Sequence, residues 1–116
     1  MIFKKKHRWV RVAKNFSELH FGENNLVEID IDGKKVCLAN TQSGIKACAS
    51  RCPHAGGNMA EGKLDAKGNI VCTVHKYHFN LSDGRDIGGE GYFLKIYPVK
   101  EDEEGIFVGM EEIAFD

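Results

Sequence analysis

The chain has 116 residues, 42% of them hydrophobic and 28% charged, which suits one folded domain with a modest core and excludes a disordered tail. A net charge of −1 and the lack of any apolar run near ~18–20 residues argue against a nucleic-acid binder and against a membrane span. No signal-peptide pattern opens the chain, so the cytoplasm is the expected location, and there four cysteines are expected as thiols or metal ligands rather than disulfides.

The near-zero charge hides an asymmetry. Residues 1–14 carry six Lys/Arg and no acid, while residues 101–116 carry seven acids and no Lys/Arg. The plain reading is two solvated faces; the sharper one is a charged docking surface, since charge patches steer association more than they set a fold. With only Phe3 and Trp9 nearby, the basic end is a poor footprint for nucleic acid.

In chain order, residues 8–13 alternate as a strand, and the short polar stretch 15–19 suits one helical turn capped by Asn15 or Ser17. Residues 25–31 alternate again, and Asp32-Gly33 turns them into a strand over 34–40. Gly44 closes the next turn, into 45–50. A two-residue turn at Gln42-Ser43 would set Cys37 directly opposite Cys48; buried free thiols are the expectation there, a disulfide the alternative. Residues 63–74 read as a hairpin around Lys67-Gly68, and residues 77–87 turn at Asp83-Gly84. A glycine-rich link over 88–91 precedes strands at 92–100 and 105–110. Trp9 and Phe93 read as core residues. Short strands with turns every 8–12 residues imply an all-β sandwich or barrel.

Two segments stand out. Cys52-x-His54 is followed, after seventeen residues, by Cys72-x-x-His75. Each turn offers one thiolate and one imidazole. A single zinc accepts two of each, but zinc fingers usually pair the cysteines on one arm and place the histidines on a helix, and no helix is expected here. Mixed arms fit a two-iron cluster in which Cys52 and Cys72 hold one iron while His54 and His75 hold the other, because each turn then spans both metals. His78 reads as a surface or supporting histidine, with an alternative-ligand role as the rival, and His7 and His20 lack any motif context. Gly56 and Gly57 would let backbone approach the metal centre closely, and Pro53 would stiffen the first turn.

These residues carry a resemblance. The run CPHAGG, then EGKL, then NIVCTVHKYHFNLSDGR resembles the Rieske ferredoxin pattern, and Glu61-Gly62, Phe79, Gly84 and the stretch 97–100 extend the likeness over roughly residues 8–109. It implies an all-β, Rieske-like antiparallel β-sandwich or barrel, one domain over 1–116. A small cluster-binding subdomain would carry loops at about 50–62 and 72–80. It also implies a [2Fe–2S] cluster on Cys52, His54, Cys72 and His75. Several positions depart from the family. Where the high-potential members of cytochrome bc complexes have a loop disulfide, this chain has Gly57 and Val74. Where they have serine and tyrosine hydroxyls near the sulfurs, it has Tyr77 and Phe79. Asn80 stands for an aspartate, Thr73 for a proline, Lys76 for a glycine, and the 88–91 link replaces a third-loop proline.

With two thiolates and two neutral imidazoles the oxidised centre is neutral, so it accepts an electron more readily than a four-thiolate cluster, within roughly −150 to +300 mV. Fewer hydrogen bonds to sulfur imply the lower part of that range. The potential is expected to fall with rising alkaline pH as a ligand imidazole loses its proton. No catalytic residues are assigned: nucleotide-binding glycines and a nucleophile–base pair are both missing from the pattern. The leading function is therefore an electron carrier between a reductase and an oxygenase or similar acceptor, with its charged ends guiding docking, and with neither nucleic acid nor membrane as partner. The alternatives are a small Rieske subunit of a larger reductase such as nitrite reductase, and a zinc-stabilised interaction module.

Overall fold

The structure is a computed structural model that describes the backbone of residues 3–115 apart from 55 and 75, and side-chain surroundings over 8–111 apart from the same two. Among the described residues ten strands run in the order β1 (Phe3–Ala13), β2 (Leu26–Ile31), β3 (Lys34–Thr41), β4 (Gly44–Ala49), β5 (Lys63–Leu64), β6 (Ile70–Val71), β7 (His78–Phe79), β8 (Ile96–Tyr97), β9 (Val99–Asp102) and β10 (Gly105–Phe115). They form three antiparallel sheets, ordered β2-β3-β4-β8, β1-β10-β9 and β5-β6-β7. The all-β expectation holds.

Alternation along β3 explains how the sheets stack. Val36 and Leu38 point into one core, with Ile45 and Ala47 of β4 and Ile106, Val108 and Met110 of β10. Cys37 and Ala39 point into a second core, with Cys48 of β4, Met59, Ile70, Phe79, Leu81 and Leu94. Successive strand residues face opposite sides, so a strand that is apolar at four consecutive positions is buried on both faces. The four-stranded sheet is thus the shared middle layer. One face lies on β1-β10-β9, and the other on the small β5-β6-β7 sheet that carries the Cys/His turns.

The turns follow local chemistry. Asp32 and Gly33 both take left-handed φ, +53° and +85°, as a two-residue hairpin turn requires. Thr41 pairs with Gly44, leaving Gln42-Ser43 as the turn and placing Cys37 opposite Cys48, the register expected. The helical turn at Phe16–Leu19 forms, but neither Asn15 nor Ser17 caps it through a side chain. Instead the Ser17 hydroxyl donates to Asn15 Oδ1, at 2.6 Å. A second 3₁₀ turn, Met59–Glu61, was not expected from the sequence; Asn58 Oδ1 accepts from Ala60 N at its start, at 2.9 Å.

Two further expectations fail. The strand read over 92–100 is broken, because Pro98 has no N–H to give to a ladder. The chain changes sheet there, from β8 to β9, and Pro98 O instead accepts from Gly109 N at 2.8 Å. Trp9 and Phe93 are not core residues: they are 42% and 63% exposed. Trp9 sits opposite Gly109 on the outer face of β1-β10-β9, where the Lys100 ammonium lies 5.0 Å from its ring.

The charged ends are strand partners. β1 and β10 pair so that Lys6 lies opposite Glu112 and His7 opposite Glu111. The backbones of the two charged ends therefore run side by side in one ribbon.

Candidate metal centre

The first Cys/His turn leaves β4 and closes on itself. Cys52 N donates to Gly57 O at 2.7 Å and Gly56 N to Cys52 O at 2.9 Å, with Gly56 at φ +71°. The second turn follows β6 directly: Cys72 N donates to Tyr77 O at 2.9 Å. Lys76 takes φ +55°, so this non-glycine residue adopts the left-handed conformation that its usual glycine would give at no steric cost.

Gly57 joins the two turns. A Cβ there would lie 2.9 Å from Val74 Cγ2 and 3.3 Å from Cys72 Sγ. The positions that would carry a loop disulfide in high-potential relatives are therefore in contact here as glycine and valine. Cys52 and Cys72 are both buried. Burial, and the Cys52 sulfur beside it, push the Cys72 thiol up to about 11, although the Val74 backbone N–H works in the opposite direction. Two neighbouring buried thiols keep their protons unless a cation replaces them, and a pair of this kind suits a metal centre that binds thiolate.

His54 is partly buried, with Nδ1 shielded from solvent. Its ring centroid lies 4.2 Å from Tyr77 and 4.8 Å, edge-on, from Tyr92. Among the described residues no three His, Cys, Asp or Glu side chains group around a single point. His75, the fourth predicted ligand, lies outside the described residues. His78 turns away toward Asp65, with Nδ1 2.7 Å from Asp65 Oδ2, and serves the β5–β6 hairpin rather than the sulfurs. Cys37 and Cys48 are fully buried free thiols one layer below, and contact between them, with burial, raises the Cys48 thiol well above its ordinary range.

Sequence reasoning missed Tyr92. It follows the 88–91 link, and a rigid aromatic after a run of glycines was the available signal; only the fold brings it to His54.

The profile of the Rieske [2Fe-2S] domain matches residues 8–92, most of the chain and both Cys/His turns. The chain belongs to the Rieske [2Fe-2S] domain family. It is 30% identical over 94 residues to the methanesulfonate monooxygenase ferredoxin subunit of Methylosulfonomonas methylovora, covering 80% of this chain and 76% of that one. Two solved structures share the Rieske fold. The ferredoxin of carbazole 1,9a-dioxygenase from Nocardioides aromaticivorans superposes with a TM-score of 0.71 at 24% identity, over 86% of this chain and 95% of its own. A chain named as an NADH-dependent nitrite reductase small subunit from Mycobacterium tuberculosis superposes with a TM-score of 0.74 at 23% identity, over 90% and 96%. Membership of the Rieske family brings with it a [2Fe–2S] cluster.

Proposed function

We propose that this chain carries single electrons from a reductase to an oxygenase or similar acceptor, with the cluster held by Cys52 and Cys72 on one iron and by His54 and His75 on the other. The observation that carries the reading is the pairing of the buried Cys52 and Cys72 thiols inside a Rieske fold, with the His54 ring packed against Tyr77 and Tyr92. Membership of the Rieske [2Fe-2S] family favours a two-iron centre over a single tetrahedral zinc. When bound, such a cluster supplies a one-electron couple within roughly −150 to +300 mV.

The chain's own residues shape that couple. Cys52 and Cys72 sit in the second core among Met59, Ile70 and Phe79, which exclude water from the sulfurs. Phe79 is fully buried and offers no hydroxyl, and the Tyr77 ring lies against His54. With no hydroxyl from Phe79 to donate to sulfur the reduced form gains less, so a midpoint below about +100 mV is expected in a voltammetric titration.

The relative from M. methylovora is a ferredoxin subunit of a monooxygenase, which supports an oxygenase as acceptor. No helix among the described residues is long and apolar enough to cross a membrane. We place the carrier in the cytoplasm, as one domain that binds neither nucleic acid nor lipid. A fixed small subunit of a larger reductase would use the same site, and sedimentation of native extract separates the two: a tight stoichiometric partner favours the subunit.

The test is iron and acid-labile sulfide analysis with EPR of the anaerobically reduced protein. Equal iron and sulfide with a reduced-state signal supports the proposal. A colourless, zinc-loaded protein without sulfide overturns it in favour of the zinc module.

A further inference from the structure

One segment touches both Cys/His turns. Residues 57–62 run from the end of the first turn to the start of β5. Cys52 N donates to Gly57 O at 2.7 Å and Met59 N to Ser50 O at 2.6 Å, so the segment closes the first turn and holds the residues that enter it. At its other end Gly62 packs against Val71, where any Cβ would strike the Val71 carbonyl oxygen, and Lys63 pairs with Val71 in the β5–β6 ladder. Cys72 follows Val71 directly. The spacing between Cys52 and Cys72 therefore depends on where residues 57–62 lie.

Asn24 fastens that segment to the base. It sits in the loop before β2, 36 and 38 residues from its partners. Its carboxamide nitrogen donates to Ala60 O and to Gly62 O, both at 3.0 Å, and its Oδ1 accepts from Leu26 N at 3.2 Å. A carboxamide nitrogen has two N–H bonds, and both are used on the carbonyls that flank Glu61. The loop is shaped around this group. Gly22 N donates to Leu26 O at 3.0 Å, and a Cβ on Gly22 would stand 2.9 Å from Asn24 Oδ1.

From these bonds we infer that Asn24 is a positioning residue for the metal centre. Through Ala60 O and Gly62 O it fixes the segment that spaces Cys52 from Cys72. Partners outside the ligand set orient the ligands, and two thiolates on one iron need a fixed separation. Loss of the tie lets Gly62 move away from Val71, and Cys72 with it. The inference rests on the electron-carrier reading for its redox readout alone, because the placement of the turns is a property of the chain itself.

The test compares N24D, N24A and N40A with the parent protein as isolated. Aspartate has the shape of asparagine, so N24D keeps the volume, removes the donor and sets a carboxylate against two carbonyl oxygens. N40A is the control: it breaks the 3.2 Å bond from Asn40 Nδ2 to Asn25 Oδ1 on the same loop and leaves both Asn24 donations in place. Backbone hydrogen exchange, read by mass spectrometry on peptides covering 57–64 and 70–74, should quicken about tenfold in N24D and N24A and stay near the parent in N40A. In iron-loaded protein the two Asn24 variants should also release iron to a chelator about tenfold faster and shift the EPR g-values of the reduced state. A general loss of stability would leave those g-values in place. Should N24D not fold, G22A, which keeps Asn24 but crowds its Oδ1, is expected to quicken exchange in the same peptides. Parent-like exchange in N24D, or in G22A where it stands in, overturns the inference, and so does an equal change in N40A. Exchange needs no cluster, so a chain that fails to hold iron and sulfide overturns the carrier reading while exchange still decides the role of Asn24.

Discussion

Tyr77 and Tyr92 reach the same imidazole from segments remote from it in the sequence, and their own ring centroids are 5.6 Å apart. Aromatic pairs at such distances contribute about 0.5–1.5 kcal/mol beyond the area they bury. Tyr77→Ala should therefore lower stability in a urea titration by roughly that amount or somewhat more, whereas the more exposed Tyr92→Ala should cost about 0.5–1.5 kcal/mol. A second residue-scale consequence concerns Asp65. Burial works against its charge, but hydrogen bonds from His78, from the side chain and backbone of Asn69, and from the Lys67 backbone outweigh it and hold the carboxyl well below the usual carboxylate range. A carboxylate depressed in the folded state favours folding wherever it is ionised. That contribution is complete above an unfolded value of about 3.9 and is lost as pH falls from there toward the lower folded value. Asp65→Asn should be less stable than the parent at pH 6 and show a flatter decline below about pH 4, measured by urea midpoints across pH. The Cys/His pairs stood out at this scale, because cysteine and histidine are scarce and their spacing is informative. The ring contacts were not, because spacing along the chain says nothing about which distant aromatic the fold returns to a histidine.

At the scale of elements, the two Cys/His turns depend on one close approach. Gly57 leaves room for Val74 and for Cys72 Sγ, and a methyl group there would meet Val74 Cγ2 at 2.9 Å. Gly57→Ala should push the turns apart and reduce iron retained per chain after purification. Gly57→Ala combined with Val74→Ala should recover much of the loss, since the shortened side chain removes the clash. Equal loss in both variants would mean that some other feature of the first turn demands glycine. The hairpin turns, with their Asp-Gly and Lys-Gly pairs, were readable because each needs left-handed backbone at a known place: Gly33 at +85°, Gly68 at +84°. The break at Pro98 was readable in principle, since proline cannot donate. A run of apolar and aromatic residues around it masked the signal. The 3₁₀ turn at Met59–Glu61 is too short for any periodicity to reveal, and only Asn58 marks its start.

Over the whole molecule, the governing fact is that β3 and β4 serve two cores at once. Leu38 is fully buried on the side of β10, and Cys37 beside it is fully buried on the side of Cys52 and Cys72. The apolar run through β3 showed a buried strand, but not which sheet lay on which face, since that depends on connections the sequence does not spell out. If the middle layer couples the cores, the base and the metal-binding half must unfold together. Leu38→Ala removes side-chain volume only from the core facing β10, and should cost roughly 2–5 kcal/mol. The decisive comparison is between two probes on the iron-loaded variant: far-UV CD, which reports the sheets, and visible absorbance, which reports the metal centre. Coincident transitions, both displaced from the parent by the same amount, are expected for one cooperative unit. A visible transition that stays at the parent value while the CD transition falls would mean that the small sheet holds its centre independently, and the chain would then consist of two stability units sharing a wall.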